Sequence, residues 1–419
     1  MGHRSSHAQG IVPRYRRSRR LSREHRPATR VTEAGRRDEW TGGAVVSPPV
    51  WRASTHLYAD CADLAKGRPN EDGQFYYGRR GSPTQWALSA ALTELEPGAA
   101  GTVLYPSGVA AIAGALLTVL KQGDVLLISD NAYEPSRTMA AQLLAPLGIT
   151  TRFFDPLDIP AYQALFCDNT RAVLLESPGS LTMEVCDIPA LAAIARERGA
   201  VSMIDNTWAS QLGFAALSHG CDMSIMALTK HVGGHSDLMM GSVSAGPEWY
   251  PALRIKSQVL GHVVSPDDAA LALRGLRTMA LRLQHSTASA LQIAGWLAAR
   301  PEVAQVLCPM LPGAPGHDLW QRDFTGGCGL FSFVLKGSSV AARARLIDAL
   351  ELFGIGYSWG GFESLVTPVD PARARSATVW PSIGTDPQDR LVVRLSIGLE
   401  DPADLIADLE RGFAAMAGA

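Results

Sequence analysis

Two stretches decide the fold: Ala200-Val-Ser-Met-Ile-Asp205-Asn206-Thr207-Trp208 and Met223-Ser-Ile-Met-Ala227-Leu228-Thr229-Lys230-His231-Val-Gly-Gly-His235-Ser236. Each is a short apolar run that ends in polar, ionisable groups. Runs apolar on every residue belong to strands buried on both faces, and open α/β sheets gather their ligands at the carboxyl ends of such strands.

Similar runs lie on either side. Gly101–Tyr105, Val125–Ser129, Thr150–Phe154, Ala172–Glu176, Ala200–Ile204, Met223–Met226 and Ser242–Ala245 read as strands. Val109–Leu120, Glu134–Leu147 and Ile188–Glu197 read as helices between them. The pattern predicts an α/β domain with a mostly parallel, seven-stranded sheet. A helical stretch over Gly275–Ala299 follows, then strands at Gly329–Leu335 and Leu391–Ile397 and a helix at Ala403–Ala415, a smaller α+β domain. The expected divisions are a basic, disordered tail over 1–35, an arm over 36–80, the α/β domain over 81–276 and the α+β domain over 277–419. No internal repeat is present.

Composition narrows the function. The 419 residues carry 38 Lys+Arg against 40 Asp+Glu, and 47% are hydrophobic, which excludes a disordered chain. The longest nearly apolar stretch, Gly108–Leu120, is shorter than the roughly 20 residues of a membrane helix. Residues 1–37 hold 11 Arg and 2 Glu, so the remainder is acidic and unsuited to nucleic acid. The Arg- and Ser-rich start lacks the apolar core of a secretory signal. Six cysteines without a CxxC pair read as reduced thiols of a cytoplasmic protein. Only five lysines occur, at 66, 121, 230, 256 and 336.

An Asp ending one strand and a Lys ending the next suit pyridoxal phosphate. Its aldehyde condenses with an amine, its ring nitrogen wants a carboxylate, and its phosphate wants backbone N–H groups. The turn Tyr105-Pro106-Ser107-Gly108-Val109 offers the phosphate site at a helix start. Singly, Asp205 could cap a turn, Lys230 could be a surface charge and Ser107-Gly108 could be a plain cap. His231 and His235 have the spacing of a zinc helix, but Val232 replaces the needed Glu and paired glycines disfavour helix, so no metal is expected. No Walker loop exists, and Gly354–Gly360 misses the dinucleotide spacing.

Further phrases are Phe75-Tyr-Tyr77-Gly-Arg79, Ala132-Tyr133-Glu-Pro-Ser, Glu176-Ser-Pro-Gly-Ser-Leu-Thr-Met-Glu-Val, Gly234-His235-Ser236-Asp237, Tyr357-Ser358-Trp359-Gly-Gly-Phe-Glu-Ser364 and Arg394-Leu-Ser-Ile-Gly-Leu-Glu400. From about Thr41 to the C-terminus the chain resembles the Cys/Met-metabolism family of pyridoxal-phosphate enzymes, and most nearly its proteobacterial β-lyase type. The resemblance implies the fold-type I architecture, a homo-oligomer of dimers sharing their active sites, and cleavage of L-cystathionine to homocysteine, pyruvate and ammonia for methionine biosynthesis. Cystine or S-alkylcysteines are further expected substrates.

The resemblance also implies roles. Lys230 binds the cofactor and shuttles protons, Asp205 pairs with its ring nitrogen, and Tyr133 stacks on the ring. Gly108, Val109 and Thr229 contact the phosphate, joined by Tyr77 and Arg79 of an adjacent subunit. Tyr77 and Tyr133 count with Lys230 as catalytic. Arg394 and Ser358 grip the substrate carboxylate, and Trp359 and Tyr357 line its pocket. An Arg amid the apolar run Leu391–Ile397 also needs a counter-ion if buried. Ala227, Leu228 and His231 depart from the residues usual around the family's lysine, and these departures are expected to tune the cradle. The γ-lyases and γ-synthases usually carry Glu-Ser-Leu where Tyr357-Ser358-Trp359 stands and a different residue where Trp208 stands, which favours the β-lyase over them; the intact set Lys230, Asp205 and Arg394 argues against a catalytically silent regulatory relative.

Overall fold

The computed structural model describes residues 25–37, 40, 45–381, 386 and 388–418. Seven strands form the large sheet: β1 (Gly101–Tyr105), β2 (Val125–Ser129), β3 (Thr150–Phe154), β4 (Thr170–Glu176), β5 (Val201–Asp205), β6 (Met223–Ala227) and β7 (Gly241–Ala245). Their order is β1-β7-β6-β5-β4-β2-β3. Strands β3, β2, β4, β5 and β6 pair in parallel, while β7 pairs antiparallel with both β6 and β1. Parallel return needs a crossover, usually a helix. The Leu228–Met240 connection contains none, so β7 comes back antiparallel.

Alternation along the strands feeds two cores. Leu127, Val173, Leu175 and Ile204 pack on one face with the long helix and the second sheet. Leu126, Ile128, Leu174 and Met203 pack on the other with Ile112, Leu116 and Leu144. The second sheet comprises β8 (Val303–Leu307), β9 (Leu330–Leu335), β10 (Gly354–Ile355), β11 (Leu365–Val369) and β12 (Leu391–Ser396), ordered β10-β11-β12-β9-β8.

Several expectations need correction. The long helix runs Pro266–Ala298, capped by Ser265, whose side chain accepts from Asp267 N. It passes unbroken through position 277, so the two sheets share it. The helix expected over Glu134–Leu147 is α-helical only to Met139, then a π turn over Ala140–Leu144 and a 3-10 turn over Ala145–Leu147. Part of the stretch taken as a disordered tail is ordered: Pro27–Glu33 is a helix with Val31 buried. Arg277 on the long helix fixes it by donating to the carbonyls of Val31 at 2.8 Å and Ala34 at 2.7 Å. The Arg-rich run at 14–20 lies outside the described residues.

Candidate active site

The carboxyl ends of β4, β5 and β6 place Glu176, Asp205 and the Thr229-Lys230 turn side by side, and the register sets Glu176 directly opposite Asp205. A cavity of about 280 Å³ opens above them. Its walls include Gly108, Val109, Tyr133, Asp205, Thr229, Lys230, Tyr357, Ser358 and Trp359. Residues as distant in sequence as Ser107 and Trp359 thus meet where the topology of an open α/β sheet puts ligands.

Lys230 follows a tight turn in which its N–H donates to the Ala227 carbonyl at 3.1 Å. The turn is closed by Gly234, whose φ of 66° and close approach to the Arg282 guanidinium leave no room for a side chain. Arg282 in turn donates to the His231 carbonyl at 2.8 Å and so ties the lysine turn to the long helix. Lys230 Nζ donates to Ser358 Oγ at 2.6 Å and lies 5.2 Å from the centre of the Trp359 ring. Burial, then the positive charge of Arg394, pulls the lysine pKa down to about 8, against the opposing pull of Asp205.

Asp205 is oriented through Oδ1, which accepts from the Thr207 N–H at 3.0 Å and from the Thr207 hydroxyl. The same hydroxyl accepts from Ala227 N at 2.9 Å and locks β5 to β6. Oδ2 has no hydrogen-bond partner among the described residues. Burial raises the Asp205 pKa, while the Thr207 bonds and Lys230 counter it. One free carboxylate oxygen on a cavity floor, opposite an amine, calls for a cationic ring nitrogen.

The anion end is built at the start of the helix Gly108–Val119. Ser107 caps it, with Oγ accepting from Ala110 N at 3.1 Å. Ala111 N is taken by the Ser107 carbonyl, which leaves the Gly108 and Val109 N–H groups on the cavity wall. A Cβ at Gly108 would come within 2.8 Å of the Ala227 Cβ, so a small residue at 227 and glycine at 108 go together. Amine, free carboxylate oxygen and helix start therefore fit pyridoxal phosphate.

Other predicted residues fall into two groups. Thr229 lines the cavity, but its hydroxyl is engaged with the Met240 backbone, donating to the carbonyl at 3.2 Å and accepting from the N–H at 3.0 Å. Arg394 sits on β12 between Thr367 and Ser332. It has no carboxylate or hydrogen-bond partner among the described residues. Burial lowers its pKa, and only the phenols of Tyr133 and Tyr357 oppose that. Tyr77 and Arg79 lie away from this chain's own cavity: Tyr77 is exposed, and Arg79 donates to the Gln258 carbonyl at 3.1 Å.

Ser180, Trp208 and Met239 also form walls that sequence reasoning assigned no binding role. His231, the departure beside the lysine, is buried with Nε2 3.1 Å from the Trp208 carbonyl and its ring 5.3 Å from that of Trp359. Burial and Arg282 push its pKa down to about 3, so it is a neutral strut between two cavity tryptophans. Among the described residues no helix is long and apolar enough to cross a membrane.

Comparison with known proteins agrees with this chemistry. A protein of Escherichia coli (strain K12) named cystathionine beta-lyase MetC is 44% identical over 391 residues, covering 92% of this chain and 98% of that one. The Salmonella typhimurium protein named cystathionine beta-lyase is also 44% identical, with the same coverage. The crystal structure of metB from Corynebacterium glutamicum superposes with a TM-score of 0.83 at 29% identity, covering 93% of this chain and 98% of that one. The family model for the Cys/Met metabolism PLP-dependent enzymes matches residues 28–414, and the chain belongs to that family.

Proposed function

We propose that the chain is a carbon–sulfur β-lyase that converts L-cystathionine and water to homocysteine, pyruvate and ammonia. The observation that carries this reading is the Tyr357-Ser358-Trp359 turn, which meets Lys230 at the cavity with Ser358 on its amine and Trp359 beside it. The identity to relatives named cystathionine beta-lyase supports it.

Bound pyridoxal phosphate supplies the electron withdrawal that makes a substrate Cα–H acidic. The remaining work falls to this chain. Asp205, fixed by Thr207, holds the ring nitrogen protonated, and Gly108 and Val109 present N–H groups to the phosphate. Tyr133 supplies a flat, polarisable face for the ring. Arg394, without a partner among the described residues, takes the substrate α-carboxylate through its guanidinium fork. Lys230, with a pKa of about 8, is about one-tenth neutral at pH 7, enough to accept the Cα proton and return one to the departing sulfur. Ser358 steers that amine.

Tyr77 and Arg79 complete the phosphate grip in a second copy of the chain, which makes a dimer the smallest active unit and a tetramer the assembly expected. The exposed aromatic run Phe75-Tyr76-Tyr77 supports this. Six unpaired cysteines support a cytoplasmic setting. The test is to supply L-cystathionine to purified protein and identify the keto acid. Pyruvate is expected; 2-oxobutyrate overturns the β-lyase reading.

A further inference from the structure

The roles above leave one acid of the cavity wall unused. Glu176 ends β4 and faces Asp205 across the β4–β5 register. Its Oε2 accepts from the Tyr133 N–H at 2.6 Å, and its own N–H is held by Ser129 Oγ at 3.2 Å and its carbonyl by Asn131 Nδ2 at 3.2 Å. Its backbone and one carboxyl oxygen are therefore fixed, on a wall of the cavity.

Among the described residues no cation is paired with it. Arg375, whose charge acts on it, is committed to Glu184 at 2.9 Å and to the Thr182 hydroxyl. The other charges facing Glu176 are the carboxylates of Asp205 and Glu184. Two adjacent carboxylates in a buried site do not both ionise, because their repulsion adds to the loss of hydration. Asp205 has the Thr207 N–H, the Thr207 hydroxyl and the Lys230 charge to stabilise its anion. Glu176 has one backbone N–H.

We infer that Glu176 is a positioning residue carried as the neutral acid: it anchors Tyr133 at the cavity wall and leaves Asp205 as the lone negative charge of the floor. This inference rests on the cofactor reading of the cavity. Burial first, then Asp205, drives the Glu176 pKa well above the usual carboxyl range, in keeping with that assignment.

Glu176→Gln, Glu176→Ala and the unaltered protein, each loaded with pyridoxal phosphate, test it. Gln keeps a carbonyl for the Tyr133 N–H and adds no charge. Its cofactor dissociation constant and the pH titration of its cofactor absorbance should match wild type within about threefold, whereas Glu176→Ala should bind cofactor about tenfold more weakly, the loss of roughly one buried hydrogen bond. The infrared carbonyl band of protonated carboxylic acids at pH 7 should be stronger in wild type than in Glu176→Gln by one carboxyl, because Glu96, pushed up by burial to about 7, contributes equally to both. Gln as damaging as Ala, Ala indistinguishable from wild type, or bands of equal strength overturns the inference. If Glu176→Ala does not fold, the infrared band and the Gln comparison still decide. Wild-type protein that binds no pyridoxal phosphate overturns the cofactor reading instead, and the band can be read without cofactor.

Discussion

Lys230 donates its amine to Ser358 Oγ at 2.6 Å, and Ser358 offers that hydroxyl from a left-handed backbone with a φ of 82°. A non-glycine residue in that region carries about 1–3 kcal/mol of strain, which surrounding structure must over-determine. The strained position points the hydroxyl at the amine. Replacing Ser358 with Gly should relieve the backbone yet lose the steering bond. Thermal unfolding should show Ser358→Gly at least as stable as Ser358→Ala, while both lose kcat by about tenfold, one hydrogen bond's worth. A Gly variant with full kcat would show that the hydroxyl is idle.

Arg394 does two things at once. Its charge lowers the Lys230 pKa, and its fork, without a partner among the described residues, takes the substrate carboxylate in the proposed reaction. Removing a neighbouring cation makes the protonated amine easier to form, so Arg394→Leu should move the Lys230 midpoint above about 8. The rate at which apoenzyme captures pyridoxal phosphate, followed against pH, should shift towards alkali. Substrate binding should weaken by about 2–5 kcal/mol, the cost of leaving one charge of a pair alone. A shift towards acid contradicts the electrostatic account.

Asp130, at the end of β2, clamps the small-sheet side of the molecule to the large sheet. Its carboxylate accepts from the N–H groups of Ser376, Ala377 and Thr378, from the Thr378 hydroxyl at 2.7 Å, and from Arg137. Burial alone raises its pKa, but the bonds from Thr378, Arg137 and Ser376 prevail and hold it at about 2. A depressed folded pKa stabilises above the ordinary carboxylate value of 3.8, and that contribution fades as pH falls through about 2. Asp130→Ala should cost about 3–5 kcal/mol at neutral pH, as for a broken buried pair. In denaturant titrations the gap to wild type should narrow below pH 3.8. A gap independent of pH points to lost packing instead.

Sharing of sites between subunits is testable by mixing. Lys230→Ala and Arg79→Ala should each be inactive alone. After co-refolding in equal amounts, half the dimers are mixed and each holds one native site, so about a quarter of wild-type activity should return. No recovery means that Arg79 serves its own chain or none.

The sequence makes the large sheet legible because its central strands β2, β4, β5 and β6 are buried on both faces and read as mostly apolar runs, whereas the edge strand β3 alternates exposed and inward residues. The strands missed are those without that signature: Val303–Leu307 has exposed residues at its start, and Leu365–Val369 contains Pro368. The start of the long helix was hidden by its polar first turn, Pro266-Asp267-Asp268, although Ser265 before a Pro is a capping signal. In the site, Lys230 and Asp205 announce themselves at strand ends. Ser180 and Met239 become cavity walls only through chain crossings that no local spacing encodes. Glu176 is a third such strand end; the signal was its neighbourhood to Asp205, which requires the strand order.

In the proposed reaction one amine out of five lysines carries the cofactor above Asp205. Borohydride reduction of the purified, cofactor-loaded protein, followed by peptide mass mapping, reads this directly. The phosphopyridoxyl group should be found on the peptide holding Lys230 and on none containing Lys66, Lys121, Lys256 or Lys336. A label on any of those four, or protein that takes up no label, contradicts the account.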